Sequence, residues 1–259
     1  MGEALNGDAI AVRHLWKRFG AGTDPLVALQ DIDFSVRDGE FVSIVGPSGC
    51  GKSTLLKILA GLLPASDGDA LLRGTPIDGP RRDIGVVFQS PVLFPWRSVF
   101  GNVLLPADVQ RLGREPMRQR AFELLDLVGL KGFEHRYPWQ LSGGMQQRVA
   151  LVRALIHDPA LLLMDEPFGA LDAQNRRIMQ TEVRRIWQET GRTIVFVTHS
   201  IEEAAAIGTT LVMLSARPSR VRALIRNDGR VERAKLVDDL NTMIMEEVER
   251  QQGAGPPTA

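Results

Sequence analysis

The chain has little cysteine, no excess of one charge and no long apolar run. Cys50 is the single cysteine in 259 residues, so no internal disulfide can form, and a free thiol suits a reducing compartment. The chain has 31 lysine and arginine residues in total and the same total, 31, of aspartate and glutamate. Without an overall basic field to hold a nucleic acid backbone, nucleic acid is disfavoured as a partner.

Signals for crossing a membrane are also missing from the sequence. No unbroken apolar stretch approaches the ~20 residues that span a bilayer. Met1 to Asp8 lacks the charged and apolar regions of a signal peptide. We therefore expect a cytoplasmic protein whose membrane association comes through a partner.

A glycine-rich stretch from Gly46 to Thr54 follows the apolar run Phe41 to Val45. It matches the phosphate-loop pattern G-x-x-x-x-G-K-[ST], in which glycines allow backbone amides to approach phosphates closely. Lys52 is placed to reach the outer phosphates, Ser53 to ligate Mg²⁺, and the following helix to direct its free N–H groups at the anion. The residues predicted to bind nucleotide here are Gly46, Pro47, Ser48, Gly49, Cys50, Gly51, Lys52, Ser53 and Thr54.

Two segments that precede this loop alternate apolar and polar residues. Ile10 to Phe19 and Ala28 to Val36 predict an antiparallel pair of strands. Trp16 and Phe19 lie beside a Lys-Arg pair, and either ring could stack on a base, although strand aromatics are more often core. We prefer Phe19 for adenine, with core packing as the alternative.

After the loop, the pattern predicts a helix from Lys52 to Leu62 that Pro64 ends, and strands at Gly68 to Gly74 and Ile84 to Phe88. Gln89 follows the last of these strands. At that place a glutamine can ligate Mg²⁺ or hold the attacking water, although a lone glutamine is usually only a solvated polar group.

The next segment, Ser90 to Pro106, is apolar and interrupted by prolines, so it does not predict one regular element. Helical periodicity at Glu115 to Val128 and Gly143 to His157 makes the region to Pro159 a mainly helical insertion. Ser142 is a plausible N-cap, and the glycines after it leave the helix amides uncovered.

An apolar strand, Leu161 to Met164, ends in the adjacent carboxylates Asp165 and Glu166. One can support Mg²⁺ while the next polarises water, and the alternative is a buried strand followed by a solvated acidic turn. Further on, a helix to about Glu189 leads to the strand Thr193 to Val197 and to His199. A lone histidine is usually structural, but this one ends a strand where α/β sheets bind ligands.

Together these motifs resemble the ATP-binding subunits of ABC transporters, with matching order and spacing from about Ile10 to Arg220. The Ser-Gly-Gly run that begins at Ser142 separates this family from other P-loop ATPases. The resemblance implies an α/β fold in which a P-loop NTPase core, a mostly parallel sheet flanked by helices, carries an antiparallel β-subdomain and an inserted helical subdomain.

The resemblance also assigns roles to single residues. Gln89 would sense the γ-phosphate and the metal, Asp165 would support Mg²⁺, Glu166 would be the general base, and His199 would contact the γ-phosphate; Lys52 completes the catalytic set. Asp172 would lie in the segment that joins the two sites. In the family two chains pair head to tail, so the residues facing the partner's ATP would be Ser142, Gly143, Gly144 and Gln146.

Several runs, among them Leu93 to Arg97 and Leu214 to Pro218, resemble the nitrate, sulfonate and taurine importer group. One departure is Ile207 to Thr210, where the family commonly has an acidic residue and an arginine, and we expect weaker surface pairing there. We expect a single domain over 1–259. Its parts would be a core with the β-subdomain at 10–89 and 160–225, a helical subdomain at 90–159, and a C-terminal helix at 226–259 that ends in a disordered tail from Gly253.

The function implied is an ATPase subunit at the cytoplasmic face of the membrane that uses ATP and Mg²⁺. Its partners would be permease subunits, an extracytoplasmic solute-binding protein and a second copy of itself. One alternative is a soluble ABC ATPase in DNA repair or translation, which usually carries a second cassette, a long coiled coil or basic extensions. Another is a nucleotide-dependent module without turnover, against which the intact Glu166 argues.

Overall fold

The computed structural model describes residues 8–20, 22, 25–169 and 171–253, and its chain divides into two compact units. Residues 1–81 and 191–259 form the first unit, and residues 82–190 form the second. In the part of the chain that the structure describes, no helix is both long and apolar enough to span a membrane.

An antiparallel sheet opens the first unit. Its strands lie in the order β2-β1-β4-β5. They are β1 (Asp8–Phe19), β2 (Leu26–Arg37), β4 (Asp67–Leu72) and β5 (Thr75–Pro76). The predicted pairing of the first two is confirmed, and it runs from Asp8 opposite Arg37 to Phe19 opposite Leu26.

A second group of strands in the first unit carries the phosphate loop. Strand β3 (Phe41–Val45) lies parallel between β8 (Thr193–Val197) and β9 (Thr210–Leu214), and β10 (Val221–Arg226) runs antiparallel to β9. Every residue of β3, β8 and β9 is buried, as continuous apolar runs in parallel strands require. The mostly parallel core that the sequence predicted is confirmed.

The helices in the described residues of the first unit are α1 (Lys52–Leu59), α7 (Ile201–Ile207) and α8 (Arg233–Gly253). The prediction that α1 reaches Leu62 is wrong. Gly61 adopts a positive φ of 69°, and the amides of Gly61 and Leu62 close on the carbonyls of Ile58 and Lys57, which is a Schellman C-cap.

Helix α8 packs against its unit through an apolar stripe. Leu240 is fully buried and Leu236 nearly so, against α7 and the sheet, while Val237 and Ile244 pack at the margin. Each fully buried leucine contributes about 1.5–3 kcal/mol. The predicted disordered tail needs correction at its start, because Gly253 is the last residue of α8, and residues 254–259 lie outside the described part.

In its described residues, the second unit contains two strands, five α-helices and a short 3₁₀ helix (Pro138–Gln140). Strands β6 (Ile84–Val87) and β7 (Leu161–Asp165) pair in parallel. The helices are α2 (Val99–Val103), α3 (Leu105–Gln110), α4 (Arg114–Leu127), α5 (Gly143–Leu155) and α6 (Ala173–Thr190). Residues 90–98 form no helix or strand, in agreement with the proline-interrupted sequence. The subdomain boundaries at 90 and 159 stay a prediction.

Candidate nucleotide site

The phosphate loop joins β3 to α1 in a space that admits no side chain at its first glycine. A Cβ on Gly46 would lie 2.7 Å from the Leu214 carbonyl oxygen and 3.1 Å from Sγ of Cys50. At Gly51, φ is +112° and a Cβ would lie 2.9 Å from Cδ2 of Leu29. The glycines that the motif requires therefore also let the loop pack against its own unit.

Lys52 begins α1, and its ammonium group is held inside the loop. Its Nζ donates to the carbonyl oxygens of Gly46 at 2.8 Å and Pro47 at 3.0 Å, and the side chain is buried. The Cys50 thiol lies below the loop surface, and burial raises its pKa, an effect that the nearby Lys52 charge partly offsets. Cys50 is 1% exposed and its amide donates to the Pro47 carbonyl at 3.3 Å, so its contact with nucleotide stays a prediction.

The outer part of the loop is accessible. Ser48 and Gly49 are exposed, and Ser53 and Thr54 are half-buried in the first turn of α1. The start of a helix presents unpaired amides and the positive end of the dipole to an anion. The loop thus has the form that phosphate binding requires.

His199 lies at the same edge of the first unit as the phosphate loop. Strand β8 pairs in parallel with β3, with Val197 opposite Ile44, and the amide of Thr198 donates to the Ile44 carbonyl at 3.2 Å. His199 follows directly and is exposed. Strand pairing therefore places this histidine at the carboxyl edge of the parallel strands, where α/β sheets commonly bind ligands, and its contact with the γ-phosphate stays a prediction.

Phe19 ends β1 with an accessible ring. The residue is 39% exposed, and the Lys17 ammonium lies 5.1 Å from the ring centroid. Trp16 is half-buried under the Arg18 guanidinium, 4.6 Å from its ring. Of the two aromatics that the sequence offered, Phe19 has the more open surface, so the adenine assignment stays a prediction with that support.

In the second unit, Gln89 and Glu166 approach the same point. Val87 pairs with Met164 across β6 and β7, so both side chains follow the carboxyl ends of paired parallel strands. A Cβ built on Gly169 would lie 3.8 Å from Nε2 of Gln89 and 3.9 Å from Oε2 of Glu166. The amide and the carboxylate thus converge on one glycine-lined space.

The backbone at Glu166 is unusual. Its φ is +43°, a left-handed conformation that non-glycine residues rarely adopt. The Glu166 carbonyl accepts from the Gly169 amide at 3.1 Å, which closes the turn after β7. Such conformations cluster at functional sites, and this one directs the chain sharply away at the end of the strand that carries Asp165.

The start of α5 has the predicted cap. Ser142 Oγ accepts from the Met145 amide at 3.3 Å, and a Cβ on Gly143 would meet no atom within 4 Å. Gly144 is buried, so only Gly143 leaves the helix start open. Gln146 is engaged within the unit, where its Nε2 donates to the Pro138 carbonyl at 3.0 Å.

Helix α6 begins with a strong acidic cap. Asp172 accepts from the amide of Asn175 at 2.8 Å and from its side chain at 2.7 Å. These bonds lower the pKa of Asp172 below its ordinary value, the backbone bond most of all. The carboxylate that the resemblance places between two sites therefore stays ionised at neutral pH.

An exposed apolar segment follows Gln89. Val92 is 63% exposed and Trp96 is 70% exposed, and the rings of Phe94 and Trp96 lie 5.1 Å apart. Hydrogen bonds fix the segment: Arg153 donates to the carbonyls of Pro91 and Val92 at 2.9 and 2.7 Å. The segment therefore presents apolar side chains on the surface of its unit.

Sequence reasoning missed the polar residues that hold these segments. Asn102, fully buried, bonds Phe94, Arg97 and Ser98, and Gln147 donates to the Phe88 carbonyl at 3.1 Å. Nothing local distinguishes such residues from other asparagines and glutamines, because their partners are backbone carbonyls. Only the proline-rich character of residues 90–98, which leaves carbonyls without ladder partners, points to them.

Comparison with known proteins agrees with this geometry. The family profile described as "ABC transporter" matches residues 29–169. An uncharacterised ABC transporter ATP-binding protein of Methanocaldococcus jannaschii is 46% identical over 219 residues, which is 85% of this chain and 82% of that protein. The taurine import ATP-binding protein of Escherichia coli strain K12 is 46% identical over 212 residues, 82% of each chain.

Solved structures show the same fold. A dimeric post-hydrolysis state of the ATP-binding cassette MJ0796 bound to ADP and Pi has a TM-score of 0.75 and 33% identity, covering 85% of this chain and 99% of that one. The cbiO1 protein of Clostridium perfringens, part of an ABC transporter complex, has a TM-score of 0.78 and 26% identity, covering 95% and 100%. The chain therefore belongs to the ABC transporter family, and it is an ATP-binding subunit that hydrolyses ATP.

Proposed function

We propose that this ATPase drives the import of taurine or a related small sulfonate through a separate permease. The observation that carries the solute is the 46–48% identity to taurine import ATP-binding proteins of several bacteria, together with the runs that the sequence shares with that importer group. These relatives favour transport over the alternative in DNA repair or translation.

The hydrolytic roles follow the family resemblance, and the geometry of each unit supports them. Glu166 takes the proton of the attacking water, Gln89 holds the water or the metal, and His199 contacts the γ-phosphate. Lys52 balances the charge of the outer phosphates. The support is that Gln89 and Glu166 converge on Gly169 and that His199 shares an edge with the phosphate loop.

The donor set fits Mg²⁺. Ser53, Gln89 and Asp165 offer a hydroxyl, an amide and a single carboxylate, and Mg²⁺ in nucleotide sites takes few protein oxygens because phosphates and waters complete its shell. In the described residues, no group of three or more His, Cys, Asp or Glu forms a metal site. The bound ion would neutralise phosphate charge.

A second copy of the chain completes the functional unit in this proposal. One related cassette, MJ0796, has been solved as a dimer in two structures, and the start of α5 offers Ser142 and Gly143 on an exposed surface that can meet the partner's ATP. Gly144 and Gln146 would support that surface from inside the helix start.

The exposed segment at Val92, Phe94 and Trp96 is the proposed contact with the permease. An exposed apolar cluster held rigid by hydrogen bonds is typical of a docking site. It begins three residues after Gln89, so a change at the γ-phosphate can reach it through a short stretch of chain. An extracytoplasmic solute-binding protein would deliver the solute, and the ATPase would lie at the cytoplasmic face of the membrane.

Uptake of radiolabelled taurine tests this proposal in cells from which the gene has been deleted. We expect uptake to be lost, restored by the wild-type chain and not restored by Glu166→Gln, which retains the shape of the side chain without a basic carboxylate. Purified Glu166→Gln should bind ATP normally and lose most turnover. Uptake of taurine and of other small sulfonates that survives deletion, while nitrate uptake is lost, would refute the assignment of the solute but not of the ATPase.

A further inference from the structure

A groove of about 910 Å³ lies in the first unit, beside the carboxyl end of β9 and next to the phosphate loop that Arg217 contacts. Its walls are the start of β2, the connection between β9 and β10, and the last turns of α8. This volume lies within the range of small-molecule sites, which are commonly 300–1,000 Å³. None of the functions described above uses this groove.

The groove has a marked excess of positive charge. Arg217, Arg220, Arg222 and Arg250 line it, against one carboxylate, Glu247. That carboxylate is already occupied, because it accepts from the Ala216 amide at 2.9 Å, from Arg222, and from Arg250 at 3.0 Å.

Two of the arginines are not neutralised by these contacts. Among the described residues, neither Arg217 nor Arg220 has a carboxylate partner, and both are exposed. The remaining wall is apolar, with Leu26, Pro218 and Val221. Guanidinium groups next to an apolar wall fit a ligand with an anionic head and an apolar body.

We propose that this groove binds a small organic anion, a sulfonate or carboxylate with an apolar body, and that its occupancy lowers the affinity for nucleotide. The link is Arg217, whose guanidinium donates to the Gly49 carbonyl of the phosphate loop at 2.6 Å. An anion that recruits Arg217 removes that bond from the loop. By linkage, the nucleotide then weakens anion binding by the same factor.

The first experiment uses two matched fluorescent probes with the full-length protein saturated with ADP, so that the nucleotide site is filled. The probes are 8-anilinonaphthalene-1-sulfonate and its uncharged parent, N-phenyl-1-naphthylamine. The sulfonate should bind at one site per chain, and the uncharged compound about tenfold more weakly or worse, because it forms no charged bond to arginine.

Arg220→Glu should weaken binding of the sulfonate about tenfold or more. Arg226→Glu is the control, since it makes the same charge change on an exposed residue of β10 that does not line the groove. Leu26→Glu, a second exposed wall position, should also weaken binding. Equal affinity of Arg220→Glu and Arg226→Glu, or equal affinity of the wild type for both probes, would overturn the proposed site.

The second experiment measures the dissociation constant of ADP with and without saturating 8-anilinonaphthalene-1-sulfonate. We expect weaker ADP binding with the probe in the wild type and no effect of the probe in Arg217→Ala. Sulfonate binding in the groove without any change in ADP affinity would overturn the coupling. Because both readouts are binding constants of the purified chain, their failure is distinct from a failure of the taurine assignment.

Discussion

Replacing Asn102 by alanine should destabilise the second unit more than a single asparagine usually does. Asn102 is fully buried. Its Oδ1 accepts from the Phe94 amide at 2.7 Å, and its Nδ2 lies 3.0–3.1 Å from the carbonyls of Phe94, Arg97 and Ser98. This one buried side chain thus bonds both ends of the turn from Phe94 to Ser98, on which Trp96 lies.

The size of the effect follows from the bonds that can be satisfied together. A primary amide has two N–H groups, so the three donor contacts amount to two full bonds, and the acceptor bond makes three. At about 1 kcal/mol net for each bond, the loss is about 3 kcal/mol. The loss of stability should not be smaller than this, because the substitution leaves the buried Phe94 amide unpaired and an unpaired donor has its own desolvation cost.

Equilibrium unfolding in urea, followed by circular dichroism, measures this loss. With m near 3 kcal/mol/M, the midpoint should fall by about 1 M. Asn241→Ala is the matched control, because Asn241 is exposed on α8, and it should change stability by less than about 0.5 kcal/mol. A loss below about 1 kcal/mol for Asn102→Ala would show that Arg153 and the prolines hold the segment without Asn102.

Three further changes test other parts of the structure. Gly46→Ala puts a Cβ at 2.7 Å from the Leu214 carbonyl, so it should raise the ATP dissociation constant at least about tenfold while circular dichroism stays unchanged. Burial raises the pKa of Glu247, but the Ala216 amide and the Arg222 and Arg250 charges more than offset this and leave the pKa below its ordinary value. Glu247→Gln should therefore cost about 2 kcal/mol at pH 7, and the difference from wild type should shrink as the pH falls through the folded-state pKa. Phe94→Ser with Trp96→Ser should keep ATPase activity but lose co-purification with the permease, since such aromatic contacts contribute about 2 kcal/mol each or more.

Each of these has a control on the same chain. Gly79→Ala adds a Cβ that meets no atom within 4 Å and should leave ATP binding unchanged. Glu249→Gln, at an exposed glutamate of α8, is the control for Glu247→Gln. Val109→Ser, at an exposed apolar residue of α3, is the control for the Phe94 and Trp96 variant. ATP binding by Gly46→Ala like that of Gly79→Ala, or a Glu247→Gln cost that does not vary with pH, would contradict the corresponding argument. Aggregation of the Phe94 and Trp96 variant would instead show that these rings are core.

Strands with a clear hydrophobic pattern were predictable, because the apolar residues of the sequence are the ones that the strand buries. The apolar runs before Gly46 and Asp165 became β3 and β7, and the alternating segments became β1 and β2. Helix ends were harder to predict. Gly61 ends α1, whereas the sequence pattern indicated Pro64, because a sequence does not show which glycines adopt a positive φ.

The residues of the candidate site also fall into a group that the sequence predicted and a group that it did not. Motif residues such as Lys52 and Ser142 were found because their spacing is local. Residues that act across long separations were missed. Thr209, in the departure from the family pattern, bonds Phe41 through both its amide at 2.7 Å and its hydroxyl at 3.0 Å. Arg217 reaches Gly49 over 168 positions.

The buried position of Cys50 has a practical consequence for labelling. It is the chain's sole thiol, it is 1% exposed, and burial raises its pKa, so little reactive thiolate reaches a maleimide in the folded protein. A cysteine introduced on the surface can therefore be labelled selectively without first removing Cys50. The slow rate at which Cys50 itself is alkylated then measures how often the phosphate loop opens.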